Sequence, residues 1–192
     1  HGYDWKILEI APRGRSYIDA GAGFGFWGLE LRSYKVCSEI TAIEGFEPFA
    51  EDLKRYGLYD RVITSNILDL PEGFIKRDVV ICTDVIEHQD PKDSDRFLRI
   101  LESLADMVIL STPNGRSIND VAQFGNELNR HRSYYNEAFF KDRGYETFII
   151  PYAPRPPKVF RPFIDLYWRL RGGAKPISQI VAVKRPGMPQ SR

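Results

Sequence analysis

Short apolar runs and amphipathic stretches alternate along the first two thirds of the chain. Ser16-Tyr17-Ile18-Asp19 reads as a strand entering a glycine-rich turn, and a helix follows over 25–34. Ile40-Thr41-Ala42-Ile43-Glu44 is a second strand, followed by a helix over 48–56 in which Pro48 suits the first turn. Arg61-Val62-Ile63-Thr64-Ser65 is the third strand, and Asp78-Val79-Val80-Ile81-Cys82-Thr83 is a fourth that reads as fully buried. Phe97, Leu98, Leu101 and Leu104 recur at helical spacing within 94–104. Met107-Val108-Ile109-Leu110 is a fifth strand, stopped by Thr112-Pro113-Asn114-Gly115. Strands alternating with helices predict βαβ units and hence a doubly wound α/β fold, with a mostly parallel sheet and helices on both faces.

After Gly115 the pattern loosens into a polar segment, and a helix over 136–143 then ends at Gly144, a good helix stop. Two further strands, 145–150 and 178–183, read as an antiparallel pair at the sheet edge and bring the sheet to seven. Between them lies a basic, aromatic insertion at 153–176. No repeat, low-complexity block or linker divides the chain, so 1–192 is expected to be one domain.

Composition narrows the picture modestly. No apolar run approaches the ~20 residues of a membrane span, and the N-terminal residues lack the pattern of a secretory signal. Two cysteines, Cys37 and Cys82, are too few for a disulfide framework, so packing roles and a reducing cytoplasm are expected. The formal net charge of +1 hides an asymmetry. Residues 151–192 carry nine Lys/Arg and one Asp, while the first 150 are net acidic. Such a stretch suggests an anionic partner: a membrane surface, RNA or an acidic protein. Its aromatic residues also suit a basic amphipathic helix lying on a membrane, which would make the protein peripheral. The plainer alternative is a helix covering the sheet edge with snorkelling arginines.

The chemistry concentrates in Asp19-Ala20-Gly21-Ala22-Gly23-Phe24-Gly25. Alternate glycines at the carboxyl end of a first strand let the backbone approach a ligand, at the edge where open α/β sheets bind them. This run resembles motif I of the class I (Rossmann-like) S-adenosylmethionine-dependent methyltransferases. The resemblance implies that Gly21, Gly23 and Gly25 pass under the methionine part of the cofactor and that Asp19 orients it. It places Glu44, at the end of the second strand, on the ribose hydroxyls, and a carboxylate there can accept two bonds from a cis-diol. It places Asp69 against the adenine, helped by the backbone of Ile67 or Leu68. Thr83-Asp84-Val85-Ile86-Glu87-His88 is similar to the D-x-x-E-H turn of small-molecule and lipid members, which puts Asp84 beside the cofactor. The elements match in order and spacing from about Tyr17 to Gly115. The fold implied is the seven-stranded methyltransferase sheet with its last strand antiparallel, and the product would be S-adenosylhomocysteine. The alternative readings of Asp19 and Asp69 are turn formation.

Gly23-x-Gly25-x-x-Gly28 also satisfies a dinucleotide fingerprint, with Glu44 following it. It starts four residues after Asp19 rather than directly after the strand, which argues against a nicotinamide enzyme. His88 can be read as a general base, as a metal ligand with Glu87, or as a helix-entry residue. His131 lies in the polar segment expected to overhang the cleft, as a substrate contact, a base or a solvated loop residue. His131 and His88 are therefore the catalytic candidates, and no metal site is assigned. A hydroxyl acceptor needs a base near neutral pH, a task suited to histidine.

Only about sixteen residues precede the first strand, which predicts an open pocket unless a partner subunit closes it. Three function classes follow. The first is a methyltransferase for a small molecule, glycan or lipid, with oxygen as the favoured acceptor. The second is an RNA or protein methyltransferase using the basic stretch. The third is a non-catalytic cofactor-binding subunit, against which the intact glycine turn speaks.

Overall fold

The computed structural model describes residues 2–115, 122, 125–151 and 178–187. The basic insertion at 153–176 and the partner surface expected there lie outside the described residues. Seven strands form one sheet: β1 (Arg15–Ala20), β2 (Cys37–Glu44), β3 (Arg61–Thr64), β4 (Arg77–Thr83), β5 (Ala105–Pro113), β6 (Glu146–Pro151) and β7 (Ser178–Lys184). Their order is β3-β2-β1-β4-β5-β7-β6. β7 is antiparallel to both β5 and β6, and the other pairings are parallel. The doubly wound sheet expected from the sequence is therefore present, with its final strand inserted beside β5 and β6 at the edge.

Strand parity explains why the central strands carry so little polar alternation. Ile18, Ala20, Val80, Cys82, Val108, Leu110, Ile180 and Ala182 point into one core, shared with α4 (Ser94–Leu104) and α5 (Glu137–Lys141). Tyr17, Val79, Ile81, Met107, Ile109, Val181 and Val183 point into the other, beneath α1 (Asp4–Ile10), α2 (Phe26–Ser33) and α3 (Glu47–Tyr56). Each strand is apolar on both faces because each face has helices to cover it. Cys82 is fully buried and Cys37 half-buried, and both are free thiols, as their packing roles require.

The helices follow from the apolar periods. α4 turns Phe97, Leu98, Leu101 and Leu104 to the core, and α3 carries Pro48 in its first turn with Phe49, Ala50 and Leu53 buried. α1 was not among the expected elements. Tyr3 and Ile7 bury it against the sheet, so the residues before β1 form part of the second core. Among the described residues no helix is long and apolar enough to cross a membrane.

Candidate functional site

A cavity of about 490 Å³ opens at the carboxyl ends of β1, β2 and β4. Chain order reverses between β1 and β4, the switch point where open α/β sheets bind ligands. Its volume falls in the range of about 300–1,000 Å³ typical of small-molecule sites. The walls come from the β1–α2 turn, the end of β2, residues 65–67, the turn after β4, and residues 126–131.

The glycine turn forms the floor. The amides of Gly21 and Ala22 donate to the Ile43 carbonyl at 2.8 and 3.2 Å, which ties the turn to the end of β2. Gly21 has φ +79°, and a Cβ there would come within 2.4 Å of the Val85 side chain. Any side chain at this position is excluded both by backbone conformation and by space.

Glu44 is held rigidly beside that turn. Its Oε2 accepts from the Gly23 amide at 2.8 Å and its Oε1 from the Phe46 amide at 2.7 Å. Burial raises the carboxyl above its ordinary pKa, and backbone bonds from Phe46, Gly23 and Gly45 work against that rise. Glu44 lines the cavity, and a carboxylate has about four lone-pair sites, so the group has the capacity to accept from a ligand diol as well. Phe24, Phe49 and Phe46 cluster at the same end, with Phe24 and Phe49 ring centroids 4.4 Å apart.

Asp19 sits elsewhere than the resemblance implied. It is buried, is not on the cavity wall, and accepts from the Tyr59 hydroxyl at 2.6 Å. Tyr59 in turn accepts from the Gly28 amide at 3.1 Å. Asp19 shares strand parity with Tyr17, so it faces the core beneath α1, α2 and α3 rather than the cavity. Burial pushes its carboxyl up to about 7, a rise the Tyr59 bond only partly offsets. A Cβ on Gly28 would lie 2.5 Å from the Tyr59 ring. The third glycine of the apparent dinucleotide fingerprint thus makes room for an aromatic ring, and Gly25 (φ +84°) carries the turn into α2.

The adenine-side expectation also shifts. Asp69 is exposed and off the cavity wall, and Leu68 packs against the core with its carbonyl accepting from Arg96. Ile67 does line the cavity, together with Ser65 and Asn66. The reason is the 3-10 turn Ile67–Asp69, whose start is capped by Asn66 Oδ1 accepting from the Leu68 amide at 3.0 Å. The turn carries Asp69 outward and leaves Ser65 and Asn66 as the polar side chains at this wall. A polar residue two positions past the end of β3 was the signal available for Asn66.

The opposite wall is polar. Asp84 follows β4 with φ +54°, a conformation a non-glycine residue adopts at some cost. It is engaged from two distant parts of the chain: the Tyr3 hydroxyl donates to it at 2.5 Å, and Gln179 Nε2 donates to its other oxygen. Neither Tyr3 nor Gln179 was singled out from the sequence, because only packing of α1 and β7 brings them there. Tyr3 thus ties the residues before β1 to the turn after β4, although none of residues 2–10 lines the cavity. Burial raises the Asp84 carboxyl, and the bonds from Tyr3 and Gln179 oppose that rise.

Glu87, His88 and His131 lie together on this wall. The amides of Arg132 and Ser133 donate to the Glu87 carbonyl at 2.8 and 3.0 Å, clamping the polar segment onto the turn after β4. The His88 and His131 rings consequently meet edge-on, with centroids 5.0 Å apart. His88 Nδ1 bonds to the Arg130 carbonyl at 3.2 Å. Burial lowers His88 to about 4, so it is neutral at physiological pH.

No family model matches the chain, and no curated protein matches it. Solved structures do. The DhpI–SAH complex aligns over 97% of this chain and 83% of that chain, with TM-score 0.64 and 15% identity. A SAM-dependent methyltransferase from Archaeoglobus fulgidus aligns over 93% and 89%, with TM-score 0.62 and 15% identity. The small RNA methyltransferase HEN1 aligns over 97% of this chain and 25% of its own, with TM-score 0.60 and 16% identity. The chain has the Rossmann-like methyltransferase fold.

Proposed function

We propose that this protein is an S-adenosylmethionine-dependent methyltransferase acting on a hydroxyl oxygen of a small molecule, glycan or lipid intermediate. The observation that carries the reading is Glu44, fixed by two backbone amides beside a glycine floor and still able to accept from a diol. The residues fit the cofactor: Gly21 and Gly23 leave the floor free of side chains, and Asn66 and Ile67 border the end beyond Glu44. Asp84 braces the turn opposite, and Asp19 supports the floor from beneath through Tyr59. When bound, S-adenosylmethionine supplies a methyl group on a sulfonium, whose sulfur keeps the bonding pair as the acceptor oxygen takes the carbon.

The protein's task is then orientation, which can supply several kcal/mol of the barrier. His131 and His88 border the acceptor end and handle the proton that the hydroxyl loses on methylation. Calorimetric titration tests the reading. Micromolar binding of S-adenosylmethionine and S-adenosylhomocysteine, with none of NADH, is expected. Silence from both sulfur ligands would overturn it.

A second reading is an RNA acceptor, supported by the net charge of +8 across residues 151–192. It requires RNA affinity that falls steeply with salt. Salt-insensitive or absent RNA binding favours the small acceptor.

A further inference from the structure

Glu87 is 2% exposed and sits at the inner edge of the polar wall. Its Oε2 accepts from the Thr112 hydroxyl at 2.9 Å, while its Oε1 is buried without a hydrogen-bond partner. An unsatisfied buried polar atom costs ~1–3 kcal/mol, and more when charged, so such an atom marks a place where something is missing. The neighbours that could share a ligand with it are imidazoles. One ligand atom each from Glu87, His88 and His131 can be chosen so that all lie within 4.8 Å of one another.

The surroundings hold these groups in place. The Arg130 carbonyl can only accept, so His88 Nδ1 carries the proton and the other ring nitrogen keeps its lone pair. This is the outer bond by which metal-binding histidines are usually oriented. Thr112 fixes the other carboxylate oxygen in the same manner. The Arg132 and Ser133 amides, both bonded to the Glu87 carbonyl, set the position of His131.

We propose that Glu87, His88 and His131 bind one divalent transition-metal cation, whose remaining coordination positions face the cavity and take an oxygen of the methyl acceptor. Two imidazoles and one carboxylate suit Zn²⁺, Co²⁺ or Mn²⁺ better than Mg²⁺ or Ca²⁺, which favour all-oxygen sets. Three protein ligands leave open positions, the arrangement of catalytic rather than structural sites. A cation there lowers the pKa of a coordinated hydroxyl, so the histidines handle its proton through the ion rather than by accepting it themselves. The assignment to the acceptor rests on the methyl-transfer reading; cation binding itself does not.

The test uses the full chain, stripped with chelator and titrated with Co²⁺ followed by visible absorption, and with Mn²⁺ followed by electron paramagnetic resonance. One equivalent bound is expected, with a Co²⁺ spectrum characteristic of nitrogen ligands. Glu87→Gln, nearly isosteric, and His131→Ala, at a half-buried loop position, should each weaken binding at least tenfold. Affinity for S-adenosylhomocysteine should stay within twofold of wild type in both variants, which also reports that they fold. No stoichiometric binding by the wild type, or wild-type affinity in either variant, would overturn the proposal. Metal binding without S-adenosylhomocysteine binding would retain the cation site and overturn methyl transfer; the reverse would do the opposite.

Discussion

The Tyr59 hydroxyl donates to the Asp19 carboxylate at 2.6 Å beneath the glycine turn, so the acid of the strand-end motif is bound by the protein itself. Its carboxyl is raised to about 7 by burial, against an ordinary 3.8. A raised acid favours the folded state when protonated. Its contribution is fully present below about pH 3.8 and is lost as pH rises through about 7. Stability should therefore fall between about pH 4 and 7, with Asp19 contributing on the order of 4 kcal/mol at most. Asp19→Asn should flatten that share of the fall in urea denaturation followed by circular dichroism. An unchanged slope would assign the titration to other buried acids such as Glu44 or Asp84, which burial shifts the same way.

Glu44 is expected to behave differently, since it lines the cavity. Glu44→Ala should weaken S-adenosylhomocysteine binding about ten- to a hundredfold, corresponding to charge-assisted bonds of about 1.5–3 kcal/mol. Calorimetry reads this directly. Retained affinity would remove Glu44 from the ligand site.

Asn66 and Asp69 offer a paired comparison. Asn66→Ala removes both a wall side chain and the cap on the 3-10 turn, and should weaken the same ligand several-fold. Asp69→Ala, at an exposed position off the wall, should leave affinity within twofold. The reverse ranking would restore the role that the sequence suggested for Asp69.

Gly28→Ala sets helix propensity against packing. Ala gains about 1 kcal/mol in a helix interior, but its Cβ would meet the Tyr59 ring at 2.5 Å. Overpacking costs about 1–3 kcal/mol, so a net loss of stability is expected, and Tyr59→Leu in the same chain should recover part of it. A lone Gly28→Ala variant more stable than wild type would show that the ring yields freely.

The particular residues divide cleanly by the range of the forces that set them. Apolar runs such as Val79-Val80-Ile81-Cys82 revealed a buried strand because both sheet faces are covered, and the alternation of Val80 with Ile81 between two cores follows from the two-residue strand period. Gly21 announced its turn because positive φ is a local property of the backbone. Glu44 was legible because a strand end fixes where its last residue sits.

What the sequence by itself determined, then, was the doubly wound sheet and the glycine turn at the carboxyl end of β1, where the cavity opens, each governed by interactions among near neighbours. Only the tertiary structure decided which acids reach the cavity. It turned Asp19 toward Tyr59 and Asp69 toward solvent, left Asn66 on the wall, and brought Tyr3 and Gln179 together on Asp84. It also set His131 against His88, through backbone bonds from Arg132 and Ser133 to the Glu87 carbonyl. These pairings join residues far apart in the chain. They depend on helix packing and loop anchoring, which no local period or propensity encodes.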